Sequence, residues 1–322
     1  MPASDHTALR RFLPEGSVGV VERIEPITMG LSGAGVYAVT TSRGAYVLRL
    51  QGASGDDTSF AHQLRVLRRV ADAGVAPSIV HMDVGARAVV SVRISGMPVA
   101  VAFANPTERT ALLASVVDRL RTVHALDPSD MVERDPLVHA RAAWEAVRDR
   151  AGFPSWAASL APTFDAIAAT LAHDRRRVLS HNDANPGNIL WDGTRAWLVD
   201  WEVAGLGHPY YDLAVLALFL RLDDDVALAL VAAHDAALLD EASRTTFRAL
   251  RRLAGLLAGL TFLGLVDDLG VRAAPTLADA PTLADCYAGL RNGELDLRSP
   301  HGLASMGLAL LAEGASGSLR GE

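Results

Sequence analysis

Two stretches of the chain gather residue types that suit phosphoryl transfer. The first is Ser180-His181-Asn182-Asp183-Ala184-Asn185-Pro186-Gly187-Asn188-Ile189-Leu190, and the second is Trp197-Leu198-Val199-Asp200-Trp201-Glu202. Asn188 to Trp191 and Ala196 to Val199 read as two strands joined at the Asp192-Gly193 turn. A hairpin brings its two ends together, so Asn188 and Asp200 become neighbours. Both offer oxygen to a hard divalent cation such as Mg2+, which keeps several waters and completes its shell with nucleotide phosphates. Asp183 precedes the hairpin and is free to accept or orient a hydroxyl proton. Phosphoryl transfer needs in-line positioning, a metal against the phosphate charge and a carboxylate beside the nucleophile. His181 is read as a residue that holds the loop backbone. An isolated Asp-x-x-x-x-Asn is an ordinary polar loop; the full series His-x-Asp-x-x-x-x-Asn, strand, turn, strand, Asp is far more demanding.

The elements that must hold these residues follow from pattern. Val18 to Pro26, Val36 to Thr41 and Ala45 to Leu50 read as antiparallel strands, with the glycine-rich turn Gly30-Leu31-Ser32-Gly33-Ala34-Gly35 between the first two. A helix capped at Thr58 or Ser59 runs to Ala73, where Gly74 and Pro77 stop it. Ser78 to Met82 and Ala88 to Ile94 add two strands around Asp83-Val84-Gly85-Ala86-Arg87. About five strands and one helix therefore occupy 18–94. Ser95-Gly96-Met97-Pro98 then breaks the pattern and marks a boundary and hinge. Beyond it the chain is helical. Asn105-Pro106-Thr107-Glu108 is a capped helix start, and further helices are expected at 136–151, 161–174, 210–222, 225–240, 243–264 and 300–312, with Asp225 and Ser243 as caps. The division expected is a loose lead-in over 1–17, a sheet lobe over 18–95, a helical lobe over 96–313 and a flexible tail over 314–322. The fold class is α+β.

Composition narrows the functions. The 322 residues are 50% apolar and 21% charged, with net charge -7, which gives no support for nucleic-acid binding and suits a cationic small substrate. All 30 basic residues are arginine. The absence of lysine removes a lysine phosphate loop, a Schiff base and a lysine general base. Cys286 is the one cysteine, which excludes an intramolecular disulfide and a cysteine-rich metal site. The first residues carry no apolar signal segment, and apolar runs such as Leu213 to Leu222 are too short to span a bilayer. The expectation is a cytoplasmic monomer or homodimer with no membrane or nucleic-acid partner.

With these motifs in place, the chain resembles the aminoglycoside phosphotransferase and choline-ethanolamine kinase superfamily, relatives of the protein kinases. The resemblance is firmest over Val18 to Leu220. It implies a bilobal protein kinase-like fold, with a small N-terminal antiparallel sheet lobe carrying one main helix, a larger helical C-terminal lobe, and ATP in the cleft. Carried onto this chain, it makes Asp183 the catalytic base, Asn188 and Asp200 the Mg2+ ligands, and His181 a loop-positioning residue. Asp212, in Tyr210-Tyr211-Asp212-Leu213-Ala214, resembles the aspartate that braces the catalytic loop. Pro186-Gly187 and Asp200-Trp201-Glu202 resemble the small-molecule kinases, where a protein kinase has Asp-Phe-Gly. No activation segment fits between Asp200 and Asp212.

The remaining nucleotide contacts are expected from the same resemblance. Gly30, Ser32 and Gly33 cover the phosphates, although their spacing departs from Gly-x-Gly-x-x-Gly. Arg49 stands where the kinase lysine holds the α- and β-phosphates, a job arginine can do with bidentate geometry. The next helix should offer it a glutamate; the matching position is Gln63, with His62 beside it, unless Asp200 or Glu202 shares the role. Backbone groups of Ser91, Val92 and Ile94 face the base. Glu202, Trp201, Trp144 and Trp156 are candidate acceptor contacts, Trp144 and Trp156 by cation–π contact, with packing in the core as the alternative for these two. The function expected is ATP- and Mg2+-dependent phosphorylation of a small cationic amino alcohol. The alternatives are an aminoglycoside or other antibiotic O-phosphotransferase, and a nucleotide-binding pseudokinase regulator motivated by Gln63 and the missing lysine.

Overall fold

A computed structural model describes residues 6–27, 35–51, 57–267 and 274–316. In chain order the elements begin with α1 (His6–Leu9), a 3-10 turn (Arg10–Phe12), α2 (Glu15–Val18), β1 (Val21–Pro26), β2 (Gly35–Thr41), β3 (Gly44–Leu50) and α3 (Asp57–Asp72). Next come β4 (Ile79–Asp83), β5 (Ala88–Val92), β6 (Met97–Pro98), α4 (Val99–Ala102), α5 (Arg109–His124), α6 (Pro136–Val147), α7 (Ser155–Ala158) and α8 (Ala161–Leu171). The chain continues through β7 (Val178–Ser180), β8 (Ile189–Trp191), β9 (Ala196–Leu198), β10 (Gly205–Gly207), α9 (Pro209–Phe219), α10 (Asp224–Asp235), α11 (Glu241–Gly264), α12 (Leu283–Asn292) and α13 (Pro300–Ser316). The fold is α+β, with an antiparallel sheet in the N-terminal part and helices in the C-terminal part.

The chain forms two compact units. One comprises 1–126 with 187–204; the other comprises 127–186 with 205–322. The chain therefore leaves the second unit after Pro186, contributes one hairpin to the first, and returns at Gly205.

In the first unit five strands are ordered β1-β2-β3-β5-β4, all pairs antiparallel. β3 is central, so Arg49 stands with Val36 on one side and Val89 on the other. One sheet face packs Val39, Leu48 and Val90 against Leu9, Phe12, Leu13 and Val18. The expected loose lead-in is thus a core element: its apolar residues cover a sheet face, and Arg10 Nη1 donates to the carbonyl of Val21 at 3.0 Å. α3 covers the other face through Phe60 and Leu64 against Val89. Gly74 follows α3 with φ +69°, a conformation that favours glycine and ends the helix. The segment expected as a hinge pairs instead within this unit, β6 against β8, and a Cβ on Gly96 would lie 2.7 Å from the carbonyl oxygen of Trp191.

The second unit is built on α11, with α6, α8, α9 and α13 against it. Glycines at 255 and 259 face glycines at 307 and 314, so that a Cβ on Gly259 would meet Leu311 N at 2.5 Å. The helix starts differ from expectation by a residue or two. Asp223 caps α10 and accepts from Val226 N at 2.8 Å, and Asp240 caps α11 and accepts from Ser243 N at 2.8 Å. Both have extended backbone, which turns a carboxylate back onto the first helical amides, while Asp225 and Ser243 already lie inside the first turn. Asn105 accepts from Thr107 N, and the helix proper begins at Arg109. α12, β7 and β10 are additions to the expected elements. α13 runs to Ser316 with Gly314 buried, so the part of the tail that is described is helical core.

Candidate active site

In the second unit, β7 pairs with β10, Ser180 opposite Gly205 and Val178 opposite Gly207. Gly207 has no side chain where the following loop folds over it; a Cβ there would lie 2.5 Å from Asn182 Oδ1 and 2.9 Å from Ser180 Cβ. The loop is fastened by Asp212, fully buried in the first turns of α9. Its carboxylate accepts from Ser180 Oγ at 2.9 Å, His181 N at 2.8 Å and Asn182 N at 2.7 Å. Bonds to an ionised acceptor are the strong ones, and they hold Asn182 at φ +61°. Asp183 follows half-buried, and its Oδ1 accepts from Asn185 Nδ2 at 2.9 Å. Burial pushes the neighbouring Tyr211 hydroxyl far above its usual range, and the negative charges of Asp183 and Asp212 add to that. Tyr211 is therefore a neutral phenol beside Asp183.

α9 is also fastened from behind. His208 caps it, its Nδ1 accepting from Tyr210 N at 3.1 Å, and its Nε2 lies 3.1 Å from Asp174 Oδ2. Arg176 binds both Asp174 oxygens, stacks 4.3 Å from the centroid of Tyr210, and reaches Asp235, which also accepts from the Tyr210 hydroxyl. Burial drives His208 down to about 4, against the pull of Asp174. Asp174 sits well below the carboxylate range: burial opposes this, but bonds from Arg176 and the charge of His208 outweigh it. Sequence reading missed this group, because its members lie on three separate segments and no local spacing joins them.

In the first unit, β8 and β9 pair with Ile189 opposite Leu198, and Val199 N continues the ladder to the carbonyl of Asn188 at 2.9 Å. Asn188 thus stands across from Val199 and next to Asp200, as the hairpin argument required. Asp192 shapes the turn by accepting from Thr194 N, Arg195 N and Trp197 Nε1. After β9 the chain turns sharply, with Asp200 at φ +66°. Arg49 Nη2 donates to Asp200 Oδ1 at 3.0 Å and also to Glu202 Oε1. The carboxylate partners of Arg49 are therefore these two. Gln63 Oε1 is buried with no hydrogen-bond partner and lines a small cavity with Arg49, Phe60 and Arg87.

Other expected contacts sort differently. Gly30, Ser32 and Gly33 lie outside the described residues. Ser91 and Val92 belong to β5, where Val92 N donates to the Ser78 carbonyl at 2.9 Å and so is not available to a base; Ile94 lies beyond the strand. Trp144 and Trp201 are buried packing groups, and Trp156 is partly buried. Trp201 is buried and donates to the Leu198 carbonyl at 3.2 Å. Trp144 donates to the Ala157 carbonyl at 2.8 Å, packs on Phe164 and is covered by Arg148. Trp156 donates to the Ala274 carbonyl at 3.1 Å and packs in a cluster with Ala280 and Ala312. Each N–H needs an acceptor once its ring is buried, and these carbonyls supply it.

Asn188 and Asp200 are of residue types that suit a hard cation, an amide and a carboxylate, and the Val199–Asn188 bond brings their backbones into neighbouring positions. Among the described residues no group of three His, Cys, Asp or Glu side chains is arranged to hold a metal. No helix among them is long and apolar enough to cross a membrane.

The first unit holds the sheet with one covering helix and the hairpin from Asn188 to Asp200, and the second holds the Asp183 loop braced by Asp212. The chain belongs to the phosphotransferase enzyme family, whose model matches residues 23–256. It is similar in fold to a choline/ethanolamine kinase family protein from Mesorhizobium loti, at 19% identity and TM-score 0.69, with 98% of each chain covered. It is similar also to choline kinase LicA from Streptococcus pneumoniae, at 17% identity and TM-score 0.61, covering 80% of this chain and 89% of that one. A third likeness is to the aminoglycoside phosphotransferase APH(3'')-Id from Streptomyces rimosus in complex with ADP and streptomycin, at 20% identity and TM-score 0.53, covering 78% and 98%. Comparison with curated protein sequences gave no match.

Proposed function

We propose that the protein transfers the terminal phosphoryl group of ATP to a hydroxyl of a small cationic amino alcohol of the choline or ethanolamine type. The observation that carries this reading is the Val199–Asn188 backbone bond, which brings Asn188 and Asp200 into neighbouring backbone positions. Asn188 and Asp200 would hold Mg2+, which when bound offsets phosphate charge. Arg49 offers its guanidinium to the phosphates. Asp183 accepts or orients the acceptor hydroxyl, in a loop whose backbone is fixed by Asp212. Support for the amino-alcohol class comes from likeness along 98% of the chain to a choline/ethanolamine kinase family protein.

A second reading, phosphorylation of an aminoglycoside, draws on the burial of Trp144, which removes one aromatic candidate for a quaternary-ammonium box. The pseudokinase reading loses one of its two motives, since Arg49 has carboxylate partners without Gln63; the missing lysine stays as the other. The test is ATP consumption with choline, ethanolamine, streptomycin and simple sugars, with mass spectrometry of products. Phosphocholine or phosphoethanolamine supports the proposal, and a phosphorylated aminoglycoside replaces it with the second reading. Nucleotide binding without any product would overturn both.

A further inference from the structure

We propose that His62 is a positioning residue for the nucleotide phosphates, acting through the segment from Val199 to Ala204. This rests on the nucleotide-binding reading above. His62 lies in α3 and is only 2% exposed. Its Nε2 is 3.0 Å from the carbonyl oxygen of Ala204, an acceptor, so Nε2 carries the hydrogen and donates. Ala204 is fully buried, and its N–H closes back on the Trp201 carbonyl at 3.4 Å. The segment is therefore fixed at three points. Leu198 N donates to the Val75 carbonyl just beyond α3 at 3.0 Å, Asp200 and Glu202 take Arg49 in the middle, and His62 holds the far end.

The physical consequence is a division of labour between adjacent helix residues. Gln63 brings no charge to Arg49, and its Oε1 has no partner. His62 bonds instead to the chain that carries Glu202, two residues before Ala204. Helix and strand cation are thus coupled through the backbone of the segment. Losing the donor leaves the Ala204 carbonyl buried and unmatched, and frees the end of the segment that aims both carboxylates at Arg49.

The test compares His62→Leu, which removes the donor at similar bulk, with His62→Gln, whose amide N–H can reach the same carbonyl. Two quantities are read: affinity for Mg-ADP by calorimetry, and hydrogen exchange of the 199–204 amides in the nucleotide-free protein. His62→Leu should weaken Mg-ADP about 10-fold and speed exchange in that segment, while His62→Gln stays within about threefold of wild type. Unchanged affinity in His62→Leu overturns the proposal, and so does equal loss in both variants, even with a lowered Tm. Failure of the wild-type protein to bind Mg-ADP overturns the nucleotide reading itself; exchange that is still faster in His62→Leu and restored in His62→Gln would keep the coupling while removing its link to phosphates.

Discussion

The loop from Ser180 to Asp183 and the segment from Val199 to Ala204 carry the two key aspartates, but they are held by opposite means. The first is pinned by a fully buried carboxylate that collects neutral donors from one hydroxyl and two amides. The second is pinned by a cation, Arg49, that collects two partly exposed carboxylates. A buried acceptor surrounded by backbone N–H groups has no competitor from solvent and stays in place. A partly exposed ion pair is open to exchange, because a phosphate can compete for the guanidinium and a cation for the carboxylates. On the proposed function, the Asp183 loop is built to stay fixed and the segment facing Arg49 is built to trade partners.

The largest effect that tests this contrast is at Asp183. Asp183→Asn should lower kcat by about a thousandfold, with nucleotide affinity nearly unchanged by calorimetry; wild-type turnover would remove Asp183 from the chemistry. Asp212→Ala should cost roughly 3–5 kcal/mol in denaturant unfolding, because it strands two buried amides and a hydroxyl. If that variant unfolds like wild type, the loop is not held by Asp212. Gly259→Val, in the α11–α13 seam, should cost about 1–3 kcal/mol without altering KM in whatever fraction stays folded, since its Cβ meets the backbone of α13. A changed KM there would mean the helical seam communicates with the site.

The support behind α9 should answer to pH. His208, with its ordinary value near 6.5 and a folded value of about 4, stays neutral in the fold because it is buried. Its share of stability is complete above the unfolded value and is lost as pH falls toward 4, about 2 kcal/mol between about pH 7 and pH 5. Tm measured across that range should fall in wild type and fall less in His208→Gln; equal slopes would take His208 out of the account. The smallest effect expected is in Arg49→Lys. The charge persists but the fork is lost, so affinity for Mg-ADP should drop about fivefold, and an unchanged value would show that geometry at Arg49 is irrelevant.

Much of this was readable from residue order where the information is local. Period-two alternation and turn glycines place the five strands within three residues, and the Asp192-Gly193 turn puts the backbone of Asn188 near that of Asp200. Asp212 as a brace followed from a resemblance. What escaped reading is non-local. The lead-in looked loose because four apolar residues in a polar stretch carry no period; they are core only because a sheet face needs covering. Trp144 and Trp156 read either as acceptor contacts or as core, and residue order alone does not decide, because the carbonyls that take their N–H groups lie more than ten residues off. The Arg49 partner was sought first on the next helix, at Gln63, with Asp200 or Glu202 as the alternative; the structure shows the alternative, on a hairpin about 150 positions later.

The double passage of the chain, out after Pro186 and back at Gly205, has a consequence for inheritance as well as for folding. A fragment ending at Leu126 would carry the five-stranded sheet but neither β8 nor β9, so β6 would lose its partner strand and Arg49 both its acidic neighbours. The piece of gene that encodes the sheet cannot be shuffled as an independent module. Any recombination that keeps a working first unit must carry the hairpin along with it, and with the hairpin comes the flanking sequence that encodes the Asp183 loop.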